Sequence, residues 1–336
     1  MKRNMYQWVD EMIASPRKTP LPVLSFPSVQ KLGITVRELT GDSEKQAQGI
    51  KLIADSFDTA AAVSYMDLSL EAEAFGSDIR WSEGEVPTVV GSIIEDMEGA
   101  EELKIPAVGD GRTGLNLDAI SKVVPLIGDR PVFAGAIGPF SLAGRLLDVS
   151  EAMYYCFDEP EMVHAVLDKV SEFLIAYMNA YKEVGANGVV MAEPLAGLLS
   201  TDLAEEFSAA YVRKIVEAVQ DENFLVVYHN CGNSAISTID TIVNNGCRVF
   251  HFGNAIDMGE MMPLIPDNCL AMGNVDPARQ FRNGTPESVY AATTEVMEKC
   301  AKYPNFVPSS GCDIPPMTDW ENIRAFFRAV DDYYNR

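Results

Sequence analysis

The chain has 336 residues, 47% hydrophobic and 22% charged, with a mean hydropathy of +0.01. That is an ordinary globular balance with ample material for a large core, and no apolar run approaches the length of a membrane span. There are 49 acidic residues against 26 basic ones, a net charge of −23. Such a field repels phosphate backbones and anionic membrane surfaces, so neither nucleic acid nor membrane is expected as a partner.

Met1-Lys2-Arg3-Asn4 carries charge, but no apolar signal core follows it. Tyr6, Trp8, Val9, Met12 and Ile13 instead predict a short amphipathic helix over Tyr6–Ala14. Eight short apolar runs follow, near Pro22–Phe26, Ala61–Met66, Val132–Ile137, Gly188–Ala192, Phe224–His229, Arg248–Phe252, Leu270–Gly273 and Phe306–Ser309. The second and third are far apart, and Ser82-Glu83-Gly84-Glu85 between them reads as the tip of an inserted hairpin. Val163, Val166, Val170, Leu174, Tyr177 and Tyr181 recur at helical spacing between Pro160 and Val184. Thr285-Pro286 opens a helix through about Lys302, and Thr318-Asp319-Trp320-Glu321 has the spacing of a capping box.

Strands alternating with helices predict a (β/α)8 barrel of the TIM type, with its chemistry at the carboxyl ends of the strands. A doubly wound open sheet is the alternative, but no Gly-x-Gly-x-x-Gly follows the first strand. No linker or internal repeat divides the chain, so residues 1–336 are read as one barrel domain with a short amino-terminal helical segment. The six cysteines, Cys156, Cys231, Cys247, Cys269, Cys300 and Cys312, are too scattered for a disulfide framework and fit a reducing cytoplasm.

The fifth predicted strand ends Tyr228-His229-Asn230-Cys231-Gly232. Residues two apart in extended backbone face one side, so His229 and Cys231 present an imidazole and a thiol together. The eighth strand ends Ser310-Gly311-Cys312-Asp313, bringing a second thiol to the same face of the barrel. One imidazole and two thiolates suit Zn²⁺ with an open fourth position. The competing reading is two small buried thiols and a hydrogen-bonded core histidine.

Three runs, Tyr228–Asn233, Met272-Gly273-Asn274-Val275-Asp276-Pro277 and Ser310–Pro315, resemble the methylcobamide:coenzyme M methyltransferases of the uroporphyrinogen decarboxylase superfamily. Gly138-Pro139-Phe140-Ser141 and Glu321-Asn322-Ile323 extend the resemblance along nearly the whole chain. It implies zinc held by His229, Cys231 and Cys312. It also implies a small thiol substrate such as coenzyme M, and a methylcorrinoid donor carried by a separate corrinoid protein. Decarboxylating relatives resemble one another in an Arg-Gln-Ala-Gly-Arg-Tyr signature near the first strand, where this chain has Ser25-Phe26-Pro27-Ser28-Val29. The expected function is therefore zinc-dependent methyl transfer from corrinoid to thiol. The alternatives are decarboxylation of a tetrapyrrole, or a non-catalytic barrel that binds a tetrapyrrole or corrinoid.

Glu193, closing the fourth predicted strand, is a candidate catalytic residue: a zinc ligand, a proton acceptor or a substrate contact, or else a carboxylate serving backbone amides. Asp276 is the other catalytic candidate, placed to orient substrate or to form its own turn. Asp67 carries the same ambiguity. His251 reads as a partner of a ligand, a fourth ligand or a satisfied core histidine. Some relatives have an acidic zinc ligand in that region, where Gly253-Asn254 stands here. His164 and the remaining cysteines read as structural.

Overall fold

The protein is described by a computed structural model covering residues 2–335. Its strands are β1 (Ala62–Val63), the pair β2 (Asp78–Arg80) and β3 (Thr88–Val90), then β4 (Val132–Ile137), β5 (Gly188–Ala192), β6 (Leu225–Asn230), β7 (Val249–Phe252), β8 (Leu270–Val275) and β9 (Phe306–Ser310). Seven of them form one parallel, curled sheet in the order β1-β4-β5-β6-β7-β8-β9, with helices in the crossovers. The pair β2–β3 is antiparallel, the hairpin expected around Ser82–Glu85.

The run Pro22–Phe26, expected as the first barrel strand, is not a strand. Pro20 and Pro22 have no N–H to give a ladder. The segment is nevertheless bonded toward both ends of the sheet. Leu21 N donates to Pro308 O (3.0 Å) and Val23 N to Ser310 Oγ (3.1 Å), while Ala60 N donates to Pro20 O (2.9 Å). The run expected from Ala61 to Met66 is likewise only two residues of strand. Past Val63, Ser64 N still donates to Phe133 O (2.9 Å), but the next bond passes to a side chain, with Gly135 N donating to Ser64 Oγ (2.9 Å).

Alternate residues of the sheet fill an inner core: Phe133, Val190, Val227, Val249, Met272 and Val307 are all essentially inaccessible, with Leu21 and Val23 among them. The helix Met5–Ala14 belongs to the same cluster through Met5 and Val9. Ten residues are too few for a stable isolated helix, so packing must hold it. Met5 and Val9 are fully buried, Trp8 meets Phe133 edge-to-face at 5.8 Å, and Asn4 accepts Gln7 N at the start. Lys18 Nζ finishes the helix by donating to the carbonyls of Met12, Ile13 and Ser15.

A second, larger core lies between the sheet and its helices. Val163, Val166, Val170, Leu174, Tyr177 and Tyr181, all on the helix Pro160–Glu183, point into it as their spacing predicts. Thr285 caps the helix Pro286–Cys300 as expected. The last helix, Trp320–Tyr334, is capped by Asp319 instead of Thr318. Thr318 is buried one residue too early, and Glu321 turns to Arg324 and Arg328. None of the six cysteines is in a disulfide, and no helix of the described residues is long and apolar enough to cross a membrane.

Candidate metal centre

β6 sends Leu225 and Val227 into the inner core, so the same parity carries His229 inward at the strand's carboxyl end. Asn230 Oδ1 accepts Gly232 N (2.9 Å), folding the chain over just past Cys231. On the far side β9 ends at Ser310, and Gly311 N donates to Val275 O (2.7 Å) before the chain reaches Cys312. Two glycines let these loops converge. A Cβ on Gly253 would lie 2.5 Å from both Cα and Cβ of Cys231, and one on Gly311 would lie 2.8 Å from Asn254 N.

The result is a cluster in which the ligating atoms of His229, Cys231 and Cys312 all lie within 4.8 Å of one another. His229 Nε2 is 3.5 Å from Cys312 Sγ. Ligands of a tetrahedral zinc, at ~2.0–2.3 Å from the ion, are separated by roughly 3.5–3.8 Å, so the spacing fits that group. The donor chemistry fits too. A hydrogen bond from Cys312 pulls the Cys231 thiol far below its usual range, with His229 adding to the effect against burial. The same bond, with burial, pushes Cys312 well up. A metal cation bound there would displace the thiol protons.

His251 faces inward from β7, directly across from its register partner His229. The two Nδ1 atoms are 2.7 Å apart. Its Nε2 meets Ser310 O at 2.7 Å and Ser309 Oγ at 2.9 Å. Full burial, with His229 alongside, holds His251 well below the usual imidazole range.

Glu193 follows β5, and its N–H donates to His229 O (2.8 Å). Its side chain does not join the metal cluster. Oε1 accepts Ser141 N (2.8 Å) and Ser141 Oγ (3.0 Å), serving the first turn of the helix Pro139–Leu147. Oε2 has no partner, and Gly138 leaves it room: any Cβ there would strike it. Burial pushes the carboxyl up to about 8. Asp276 Oδ1 accepts Ala278 N (2.9 Å) and Arg279 N (2.7 Å), the turn-forming geometry.

Asp67 accepts Ser69 Oγ (2.6 Å) and forms a buried ion pair with Arg112. Arg112 also reaches Glu73 (2.6 Å) and lies over the Trp81 ring at 4.6 Å, pinning the β2–β3 insertion to the end of β1. Sequence reasoning did not single out Arg112 or Asp313. Asp313 is part-buried, its Oδ2 accepting Met66 N (3.3 Å) while its enclosed Oδ1 has no partner. His164 lies apart from the cluster, bonded to Tyr211 (2.8 Å) and stacked on Phe207. At Ser25–Val29, Phe26 is buried, Ser25 bonds backbone carbonyls and Ser28 bonds Tyr65.

The fold is that of an α/β protein, a parallel sheet wrapped on an apolar core, with a His/Cys/Cys cluster at its carboxyl edge whose spacing could hold a metal ion. The chain belongs to the uroporphyrinogen decarboxylase (URO-D) family, whose model matches residues 24–333. It is 31% identical over 274 residues to the methylcobamide:CoM methyltransferase MtbA of Methanosarcina acetivorans, covering 80% of this chain and 78% of that one. It is 27% identical over 296 residues to the uroporphyrinogen decarboxylase of Coxiella burnetii, covering 82% and 78%. In fold it matches a methyltransferase from Methanosarcina mazei with a TM-score of 0.85 over 99% of both chains, at 24% identity.

Proposed function

We propose that the protein is an enzyme that holds one zinc ion through His229, Cys231 and Cys312 and transfers a methyl group from a methylcorrinoid to a small thiol. The observation that carries this reading is the convergence of the three ligating atoms at the carboxyl ends of β6 and β9. The relatives named as methylcobamide:CoM methyltransferases support the reaction class. Zinc bound there would favour the thiolate form of an incoming thiol, and two cysteinates would keep that sulfur electron-rich. A sulfur–carbon bond forms as the cobalt–carbon bond breaks, the electron pair staying with cobalt as cob(I)amide. Hydrolysis suits the ligand set less well, because two thiolates blunt the Lewis acidity a water nucleophile needs.

The chain's own residues divide the remaining work. His229 and Cys231 come from one strand end and Cys312 from another, so the site forms only when the sheet has curled. Glu193, neutral at pH 7, has an unpartnered oxygen with which to meet substrate once the mouth is occupied. Asp276 holds the β8 loop toward the same edge, where it would orient the substrate. In this reading residues 20–25 take the place of the eighth strand, closing one barrel domain that works in the cytoplasm beside a separate corrinoid carrier protein.

Decarboxylation of a tetrapyrrole is the competing reading, raised by the decarboxylase relatives. The buried, arginine-free Ser25–Val29 segment offers no cation for substrate carboxylates. Metal analysis and turnover separate the two. The proposal requires about one zinc per chain and methyl transfer that depends on it, whereas metal-free decarboxylation of uroporphyrinogen would overturn it.

A further inference from the structure

The chain has three histidines, and two of them touch. Their surroundings leave one consistent placement of protons. His251 Nε2 lies 2.7 Å from Ser310 O, and a carbonyl only accepts, so this nitrogen carries a proton. Its other neighbour, Ser309 Oγ, donates its own proton to Leu21 O (2.7 Å) and has only lone pairs to offer. His251 is fully buried and no partner of either ring nitrogen is a carboxylate, so a second proton would leave an unpaired buried charge.

Nδ1 of His251 is therefore a bare lone pair, 2.7 Å from Nδ1 of His229. His229 must donate across that gap, with His251 O at 3.2 Å as a second acceptor. A neutral imidazole has one N–H. In the neutral ring, the form able to ligate a metal, Nε2 of His229 is left with its lone pair on the side of Cys312 Sγ.

We infer that His251 is a positioning residue of this site: by accepting the Nδ1 proton of His229 it fixes the tautomer whose Nε2 lone pair faces the two thiols. The placement of the Nδ1 proton follows from the hydrogen bonds and the burial of His251, while its consequence for a metal rests on the zinc reading above. The chain of bonds ends on a β9 carbonyl two residues before Cys312, so it also ties both ligand-bearing strands together through β7. A ligating histidine usually gives its second N–H to a carboxylate, a carbonyl or water. Here another imidazole takes it, and a neighbouring strand locks that imidazole.

The test uses full-length, metal-free protein labelled with ¹⁵N-histidine, in which two-bond proton–nitrogen correlations report each tautomer. Only three histidines contribute, and His164→Gln assigns one of them. The expected spectrum has His229 protonated at Nδ1 and His251 at Nε2. His251→Phe removes the 2.7 Å imidazole acceptor and leaves only the backbone carbonyl at 3.2 Å, so His229 should populate both tautomers. Zinc affinity measured by chelator competition should then fall about ten- to a hundredfold with the melting profile retained. His251→Gln supplies an amide oxygen in place of the lone pair and should recover most of the affinity. Wild-type His229 protonated at Nε2, or a folded His251→Phe protein with undiminished zinc affinity, would overturn the inference. If His251→Phe does not fold, the wild-type spectrum decides. A zinc-loaded protein that transfers no methyl group would strike at the proposed function and leave the tautomer result standing.

Discussion

At the scale of single residues, the metal reading puts all its weight on three side chains. Cys231→Ala or Cys312→Ala should each cut zinc content measured by atomic absorption, and far-ultraviolet circular dichroism should be unchanged. Neither thiol belongs to the hydrophobic cores, so the fold does not depend on them. Undiminished zinc in the double variant would remove the site. His229→Ala should abolish methyl transfer, whereas His164→Ala, on a half-exposed helix face, should leave it largely intact. Glu193 gives a test with a definite sign. Its carboxyl is raised to about 8 in the folded protein, against 4.5 as its ordinary value. Below both values the two states are equally protonated and nothing is lost. As pH rises from about 4.5 to 8 the unfolded chain ionises while the folded one stays neutral, so stability falls. Glu193→Gln cannot ionise and keeps an acceptor for Ser141. Between pH 5 and 8 its Tm should therefore drop less than that of the wild type. An equal or steeper drop would show that the carboxyl is charged in the folded protein. If the same variant keeps its zinc but loses activity, Glu193 handles substrate.

At the scale of elements, what could be read in advance followed from how completely an element is buried. β4 through β9 were legible because a strand covered on both faces is a continuous apolar run, and Val132–Ile137 or Leu225–Asn230 look like nothing else. Pro22–Phe26 has the same apolar look, and although its proline is a local sign against a strand, the bond of Val23 N to Ser310 Oγ in place of a main-chain partner is a tertiary feature that no local pattern carries. The His229 and Cys231 pair was legible from the two-residue period of a strand. The contact between His229 and His251 was not, since it depends on the register of β6 against β7, which the crossover between them sets. The roles of Glu193 and Asp276 were legible only as alternatives, because either carboxylate could have turned to a ligand or to a backbone amide. Gly253 is a further element-scale test. A methyl group there collides with the Cys231 backbone, so Gly253→Ala should displace the β6 loop and weaken zinc binding severalfold in chelator competition. The helix Met5–Ala14 offers a control away from the site. Met5→Ala empties a fully enclosed position and should cost about 2–4 kcal/mol in urea unfolding, with zinc stoichiometry unchanged.

At the scale of the whole molecule, the curled sheet brings together residues more than eighty positions apart in the chain, and this is the level at which the reaction class is decided. The most direct measurement of the central claim is the absorbance change that accompanies loss of the methyl group from a methylcorrinoid. It is followed with zinc-replete protein, its corrinoid carrier and a panel of small thiols. Thiol-dependent demethylation is expected, disappearing in His229→Ala and in metal-stripped protein and returning to the stripped wild type with added zinc. Demethylation undiminished by stripping and by His229→Ala, or none with any thiol, would contradict that claim.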